Sequence, residues 1–260
     1  MKRVLLINDL SSLGKAALTV NIPIINSYGI ETIPVPTMLL SAHTGFEKYT
    51  AFDLSEQLKK ILNDYKEMHL HFDLIYTGFF ANSKQIEDCI QIIRELKDEN
   101  TLVFVDPILG ENGQLFKCFN EEYLNSMKKL VKEADIISPN ITEACLLTNR
   151  NINDDPIDII KDLNNRYIAL KSIRKEDKIG YLIKDDDLSF IYKEEFKEKL
   201  HGTGDVFASF LIGEYLNNRN FEEACAKAAD ITEICIKETV KDYEEHWYGL
   251  KFENYLKDCD

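Results

Sequence analysis

The sequence predicts an α/β fold: a mostly parallel central sheet with helices on both faces. Three observations carry that expectation. Short, continuous apolar runs bounded by polar residues recur along the chain and read as strands buried on both sides. Segments with apolar residues at helical spacing lie between them, and such alternation is what a parallel sheet requires. The chain has 260 residues, 45% of them hydrophobic and 29% charged, enough for one large core, so residues 1–260 are read as a single domain.

Taken in order, residues 4–7 form the first buried strand, followed by a loop over 8–14. Residues 15–27 carry Ala16, Ala17, Val20 and Ile24 at helical spacing, with Pro23 as an interruption and Gly29 as a stop. Residues 32–40 are extended, because Pro34 and Pro36 suit an edge strand and not a helix. A loop over 41–45 follows, and Asp53 is the candidate N-cap of a helix to about 65. Strands at 72–76, 102–105 and 136–138 then alternate with helices at 82–97, 121–132 and 142–147. After a turn-rich joint at 149–156, a helix to about 164 leads to a strand at 167–170. Runs at 179–183 and 188–192 flank Asp185–Asp187 and read as a hairpin with a solvated turn. The last third is helical, at 203–216, 221–237 and, more weakly, 248–256. In such a fold ligands bind at the carboxyl ends of the strands.

The formal net charge is −14. That field repels nucleic-acid backbones and anionic membrane surfaces, so neither is an expected partner. A nucleotide-binding site in this chain must neutralise phosphate locally, with backbone N–H groups, a few cations and a metal. Six cysteines are scattered singly, as in a chain with reduced thiols, and no run is long enough for a signal-peptide core or a membrane span, so a cytoplasmic location is expected. The pair His69 and His71 lacks a third ligand at recognisable spacing and predicts no metal site.

The segment Gly202-Thr203-Gly204-Asp205 opens a helix that continues with small and apolar residues. Flexible glycines and free amides at a positive helix end can hold a phosphoryl group. Asp205, in the first turn, would face the same point, where its carboxylate either takes a proton from an attacking hydroxyl or merely complements the helix dipole. Asp106 lies just past a strand end, with Glu111 near it in sequence and Glu143 at the start of a helix. Alone, Asp106 reads as a turn residue before Pro107 and Glu143 as a capping residue; together they can converge on a phosphate path that suits Mg²⁺. Lys171, directly after a strand, is either a solvated lysine or a cation that reaches phosphates. Tyr243–Trp247 reads as a shield over a surface or a subunit contact.

Gly-Thr-Gly-Asp at the start of a late apolar helix resembles the signature of ribokinase-like kinases. Asp106-Pro107-Ile108-Leu109-Gly110-Glu111 is similar to the Asp-Pro-Val-Met-Gly-Asp stretch of that superfamily's vitamin-kinase branch. Ser138-Pro139-Asn140-Ile141-Thr142-Glu143 matches its Pro-Asn-x-x-Glu pattern, and Ser41-Ala42-His43-Thr44-Gly45 resembles the His-Thr-Gly loop of pyridoxal kinases. The motifs occur in the family's order and span essentially the whole chain. The resemblance implies a ribokinase-like three-layer fold and ATP-dependent phosphorylation of the 5′-hydroxymethyl group of a vitamin B6 compound. It further implies Asp205 as general base and an anion hole of Gly202, Thr203 and Gly204. ATP contacts fall on Asn140, Lys171 and Thr203, and Mg²⁺ contacts on Asp106, Glu111 and Glu143, with K⁺ assisting in some relatives.

On the acceptor side the resemblance implies Asn8, Asp9, His43, Thr44 and Phe79, the last either beside the substrate or in the core. Asp9-Leu10-Ser11-Ser12-Leu13-Gly14 looks like the form found in bacterial pyridoxamine kinases, where an aspartate could pair with a pyridinium nitrogen or an aminomethyl cation. A homodimer is also implied. Two alternatives stay open: hydroxymethylpyrimidine as acceptor, and a non-catalytic vitamin-binding protein on a kinase scaffold. The cysteine-bearing lid of some hydroxymethylpyrimidine kinases has no counterpart in residues 197–200.

Overall fold

The computed structural model of the chain describes residues 1–256. Its centre is a nine-stranded sheet in the order β11-β10-β9-β8-β5-β4-β1-β2-β3. The strands are β1 (Arg3–Ser11), β2 (Glu31–Leu40), β3 (Ala51–Asp53), β4 (Leu74–Thr77), β5 (Leu102–Val105), β8 (Ile136–Ile137), β9 (Tyr167–Lys175), β10 (Lys178–Lys184) and β11 (Leu188–Glu194). A separate two-stranded hairpin, β6 (Gly110–Glu111) and β7 (Gln114–Leu115), stands above β5. From β2 through β9 neighbouring strands pair parallel, while β3 joins β2, and β10 joins β9 and β11, antiparallel. The chain passes from β1 outward to β2 and then returns to β4 on the other side of β1, so β1 and β4 form the topological switch point where α/β sheets bind ligands.

Alternation along the buried strands divides the core into two layers. Leu5, Ile7, Ile75, Val103 and Val105 point to one face, packed by α2 (Ser55–Glu67), α3 (Ser83–Leu96), α4 (Glu121–Val131), α5 (Ile141–Thr148) and α6 (Pro156–Lys161). Val4, Leu6, Tyr76 and Phe104 point to the other, packed by α1 (Leu18–Asn26), α7 (Thr203–Asn218) and α8 (Phe221–Val240). Every α7 residue from Val206 to Leu216 is buried, which explains its apolar, non-amphipathic sequence. This burial fixes the N-terminus of α7 over the strand ends.

Several local expectations change. β1 continues to Ser11, past the expected loop start at Asn8, because β2 keeps pairing with it across a register shift at Asp9. Pro34 and Pro36 sit in β2 beside β1, and β3 pairs only with residues 38–40, leaving both prolines on the unpaired margin. Pro23 lies inside α1. Leu54, not Asp53, is the N-cap of α2; Asp53 closes β3 while its carboxylate accepts the Ser55 N–H at 2.8 Å. β4 begins at Leu74 and not at residue 72. The expected helix over 248–256 is absent: the C-terminal elements are α9 (Tyr243–His246) and a single 3₁₀ turn at Glu253–Tyr255. Five described cysteines are free, Cys259 lies outside the described residues, and no described helix is long and apolar enough to cross a membrane.

Candidate active site

Three strands and one helix start bring charged side chains together above the α7 face. Asp9 lies near the end of β1, Asp106 follows β5, Lys171 lies in β9, and Asp205 occupies the first turn of α7. Lys171 Nζ donates to Asp106 Oδ1 at 3.0 Å, with the lysine side chain 12% exposed and the aspartate 1%. A solvated lysine is thereby ruled out. Burial opposes the Lys171 charge, but Asp106, Glu143 and Asp205 together outweigh it and hold the ammonium above its ordinary pKa. Gly204 abuts this pair: a Cβ there would lie 3.5 Å from Lys171 Nζ and 4.0 Å from Asp106 Oδ2. The pair therefore sits beside the uncapped start of α7.

That start is shaped by Gly202, the N-cap, at φ 78°. A Cβ on Gly202 would meet Lys15 O at 2.1 Å, so the left-handed backbone and the close loop both call for glycine. No side chain caps the first-turn amides. They stay available to an anion. Asp205 is pushed up to about 7, first by burial and then by the Asp106 and Asp9 charges, against a hydrogen bond from the Ala17 N–H and the Lys171 charge. Ala17 adopts φ 51° and ψ −131°, a strained backbone for a residue with a Cβ, at the point where its N–H reaches Asp205. Asp9 is lifted to about 6 by burial, opposed by a 2.8 Å hydrogen bond from Ser11 Oγ.

Other predicted residues are occupied internally. Glu143 Oε2 accepts the Asn140 N–H at 2.7 Å and Oε1 accepts the Leu109 N–H at 3.3 Å, so this carboxylate completes a capping box on α5. Burial lifts it to about 8, with Lys171 opposing and Asp106 reinforcing. Asn140 Oδ1 accepts the Glu143 N–H and Nδ2 donates to Gly110 O, both at 2.9 Å, which ties α5 to β6. Glu111 is exposed and 3.9 Å from Lys199 Nζ. The expected convergence of Asp106, Glu111 and Glu143 is thus not found: Glu111 is held out on the β6–β7 hairpin, and no group of three or more potential metal ligands exists among the described residues.

A lighter arrangement still suits Mg²⁺. Tyr76 Oη is buried against the Asp106 carboxyl, while Thr77 Oγ1, at the end of β4, and Ser138 Oγ, just past β8, are buried without hydrogen-bond partners on either side of β5 and Asp106. Hydroxyl oxygens beside the Asp106 carboxylate, whose charge Lys171 shares, fit Mg²⁺ that takes most of its ligands from water and phosphate.

On the acceptor side, Asn8 spends its amide inside the protein. Oδ1 accepts the Asp9 and Phe79 N–H groups at 3.0 and 2.8 Å, and Nδ2 donates to Asn21 Oδ1 at 3.1 Å, sealing the β1/β4 switch point. His43 Nδ1 accepts the Gly45 N–H at 3.0 Å, which leaves Nε2 to donate to Tyr248 O at 2.9 Å. Both nitrogens are committed in the neutral ring, whose pKa burial lowers. Thr44 is exposed beside it. Phe79 is half-buried, its ring 5.6 Å from Phe119.

Residue-by-residue reading gave no site role to His201, to Trp247, taken only as part of a surface shield or subunit contact, or to Tyr76. The first two carried a signal: His201 adjoins the glycine motif, and Trp247 is the chain's single tryptophan. Tyr76 looked like one more apolar strand residue.

A family model described as phosphomethylpyrimidine kinase matches residues 25–247. The pyridoxal kinase of Dictyostelium discoideum is 27% identical over 237 residues, 81% of this chain and 78% of that protein. The crystal structure of pyridoxal kinase from Lactobacillus plantarum superimposes with a TM-score of 0.92 at 25% identity, covering 99% of this chain and 96% of its own. A Bacteroides thetaiotaomicron protein named as a candidate phosphomethylpyrimidine kinase and crystallised with pyridoxal reaches 0.88 at 26% identity, covering 98% and 94%. The chain belongs to the phosphomethylpyrimidine kinase family, is an enzyme of the pyridoxal kinase group within it, and carries the ribokinase-like α/β fold.

Proposed function

We propose that the protein transfers the γ-phosphoryl group of ATP to the 5′-hydroxymethyl oxygen of a vitamin B6 compound, with Asp205 as general base. The observation that carries this reading is Asp205 itself, raised to about 7 in the first turn of a helix whose amides are uncapped, beside the Lys171–Asp106 pair. A carboxylate of that pKa is matched to accepting a proton near neutrality. As the new P–O bond forms, the bond to the β-phosphate breaks, the hydroxyl proton passes to Asp205, and ADP leaves. The Gly202–Asp205 amides hold the charge on the transferring group, and Lys171 draws the phosphates toward Asp106. Mg²⁺, held through Asp106 and water, would neutralise the β- and γ-phosphates. Asn140 and Glu143 support this end by fixing the start of α5.

Asp9 is the acceptor-side residue with chemistry left to offer, a carboxylate for a pyridinium nitrogen or an aminomethyl cation. Support for a B6 acceptor comes from the pyridoxal kinase relatives and from the Bacteroides structure crystallised with pyridoxal. The matched family's description supports a second acceptor, hydroxymethylpyrimidine. The test is ATP consumption with Mg²⁺ across pyridoxal, pyridoxamine, pyridoxine and hydroxymethylpyrimidine, compared as kcat/KM. A B6 compound should lead. Hydroxymethylpyrimidine in front transfers the assignment to the pyrimidine, and binding without product makes the protein a vitamin binder. With the favoured acceptor, kcat/KM should rise as pH increases through about 7, because only ionised Asp205 accepts the proton.

A further inference from the structure

The C-terminal segment reaches back to the site and ends in an aromatic contact that the proposed chemistry does not use. The Trp247 ring lies 4.8 Å from Phe46, 5.7 Å from His201 and 6.1 Å from His43, centroid to centroid. His43 and His201 are themselves 4.7 Å apart at 34°. A Cβ on Gly45 would approach His201 Cε1 to 2.6 Å, so the His43 loop lies directly on the residue that precedes Gly202. Burial, reinforced by His43 and Lys199, lowers His201 to about 4, and burial also lowers His43, so the two tilted imidazoles meet as neutral rings near neutral pH.

The next residue fastens the same segments through the backbone. Tyr248 O accepts both His43 Nε2–H at 2.9 Å and the Lys15 N–H at 3.2 Å. The loops after β1 and β2 are joined by Ser12 N–H to Leu40 O at 2.8 Å, Leu13 N–H to Ser41 O at 3.1 Å and His43 N–H to Leu13 O at 3.1 Å. The loop after β1, the His43 loop and the residue that precedes Gly202 therefore converge on Trp247 and Tyr248.

We propose that Trp247 is a positioning residue for the acceptor: it clamps the His43 loop against His201, so that the acceptor loops and the anion-binding helix start are held as one body. The proposal rests on the acceptor-side reading given above. Clustered rings attract one another beyond what their buried area contributes, and the chain has no second tryptophan to take over the contact. Its loss should therefore loosen acceptor binding more than phosphoryl transfer.

The test uses the full chain and whichever of the four panel compounds is turned over fastest. Trp247→Leu should raise the acceptor KM about five- to tenfold, the equivalent of one to two ring contacts. KM for ATP and kcat should stay within about threefold, and Trp247→Phe should recover most of the acceptor KM. Because Trp247 is the single tryptophan, the emission of wild-type protein without ATP should change as that compound saturates the site. An unchanged acceptor KM in Trp247→Leu, even with a lowered Tm, overturns the proposal, as does emission indifferent to a saturating acceptor. Failure of wild-type protein to phosphorylate any panel compound instead overturns the proposed function, a separately recognisable result.

Discussion

The two ends of the site are built in opposite ways. At the phosphoryl end, hydrogen-bonding capacity remains for a ligand: first-turn amides without a side-chain cap, a buried Lys171 within reach of the helix start, and Asp205 near neutrality in its titration. At the acceptor end, Asn8 and His43 give their side-chain groups to the protein's own backbone and to Asn21, and rings fill the surroundings. One end offers charge and donors, the other, Asp9 apart, shape. Substitutions at the first should act on turnover or on the buried charge balance, and at the second on the choice of acceptor.

The largest effect that would sharpen this contrast is at Asp205. Asp205→Ala should lower kcat by about 10²–10⁴-fold, the range for a positioned general base. Steady-state turnover close to wild type would remove Asp205 from that role. Next is the buried pair. Lys171→Met leaves the buried Asp106 carboxyl without its partner, and should lower stability by about 3 kcal/mol in urea unfolding, whereas adding Asp106→Asn should recover much of the loss. Equal stability of the single and double variants would mean that the pair is not coupled.

At the acceptor end, Asp9→Ala should lower kcat/KM for pyridoxamine about tenfold or more while changing pyridoxine less, as expected for a lost charge-assisted contact to an aminomethyl cation. Unchanged pyridoxamine turnover would make this end wholly a matter of shape. The smallest effect concerns stability. Asp205 has a folded pKa raised to about 7 from 3.8, so the folded chain retains a proton that the unfolded chain has released. Its contribution is complete below the unfolded value and is lost as pH rises through about 7. Asp205→Asn should therefore gain on wild type between pH 5.5 and 8, by about 2–4 °C in Tm after allowing for partial exposure. A constant Tm difference across that range would contradict the raised pKa.

Most strands and helices were legible because their periodicity is local. α7 was found from the apolar run after Asp205, and α5 from the alternation of strands and helices, although its Asn140–Glu143 capping box was not. The C-terminal turn was misjudged because Leu250 and Phe252 are buried by tertiary packing and not by a helical stripe. The β6–β7 hairpin is held by only two paired positions, too short for a periodic signal. Motif order brought Asp205 and Asp106 to one place, but spacing could not show that Lys171 would pair with Asp106 instead of facing solvent, that Glu143 would spend both oxygens on backbone N–H groups, or that Glu111 would face outward. Such outcomes depend on which donors arrive from distant parts of the chain. The Ala17 strain and the Trp247 contact are of the same kind.

The approach of Lys15 O to Gly202 has a consequence for anyone moving parts between relatives. Because the missing Cβ of Gly202 would stand 2.1 Å from that carbonyl, the loop before α1 and the start of α7 are complementary surfaces, although they lie far apart in sequence. Transplanting a foreign α7 start with a larger residue at position 202 would force the Lys15 loop outward, and with it the Ala17 N–H that reaches Asp205. A working chimera must therefore exchange both segments together, so the unit of inheritance at this site is a contact and not a stretch of sequence.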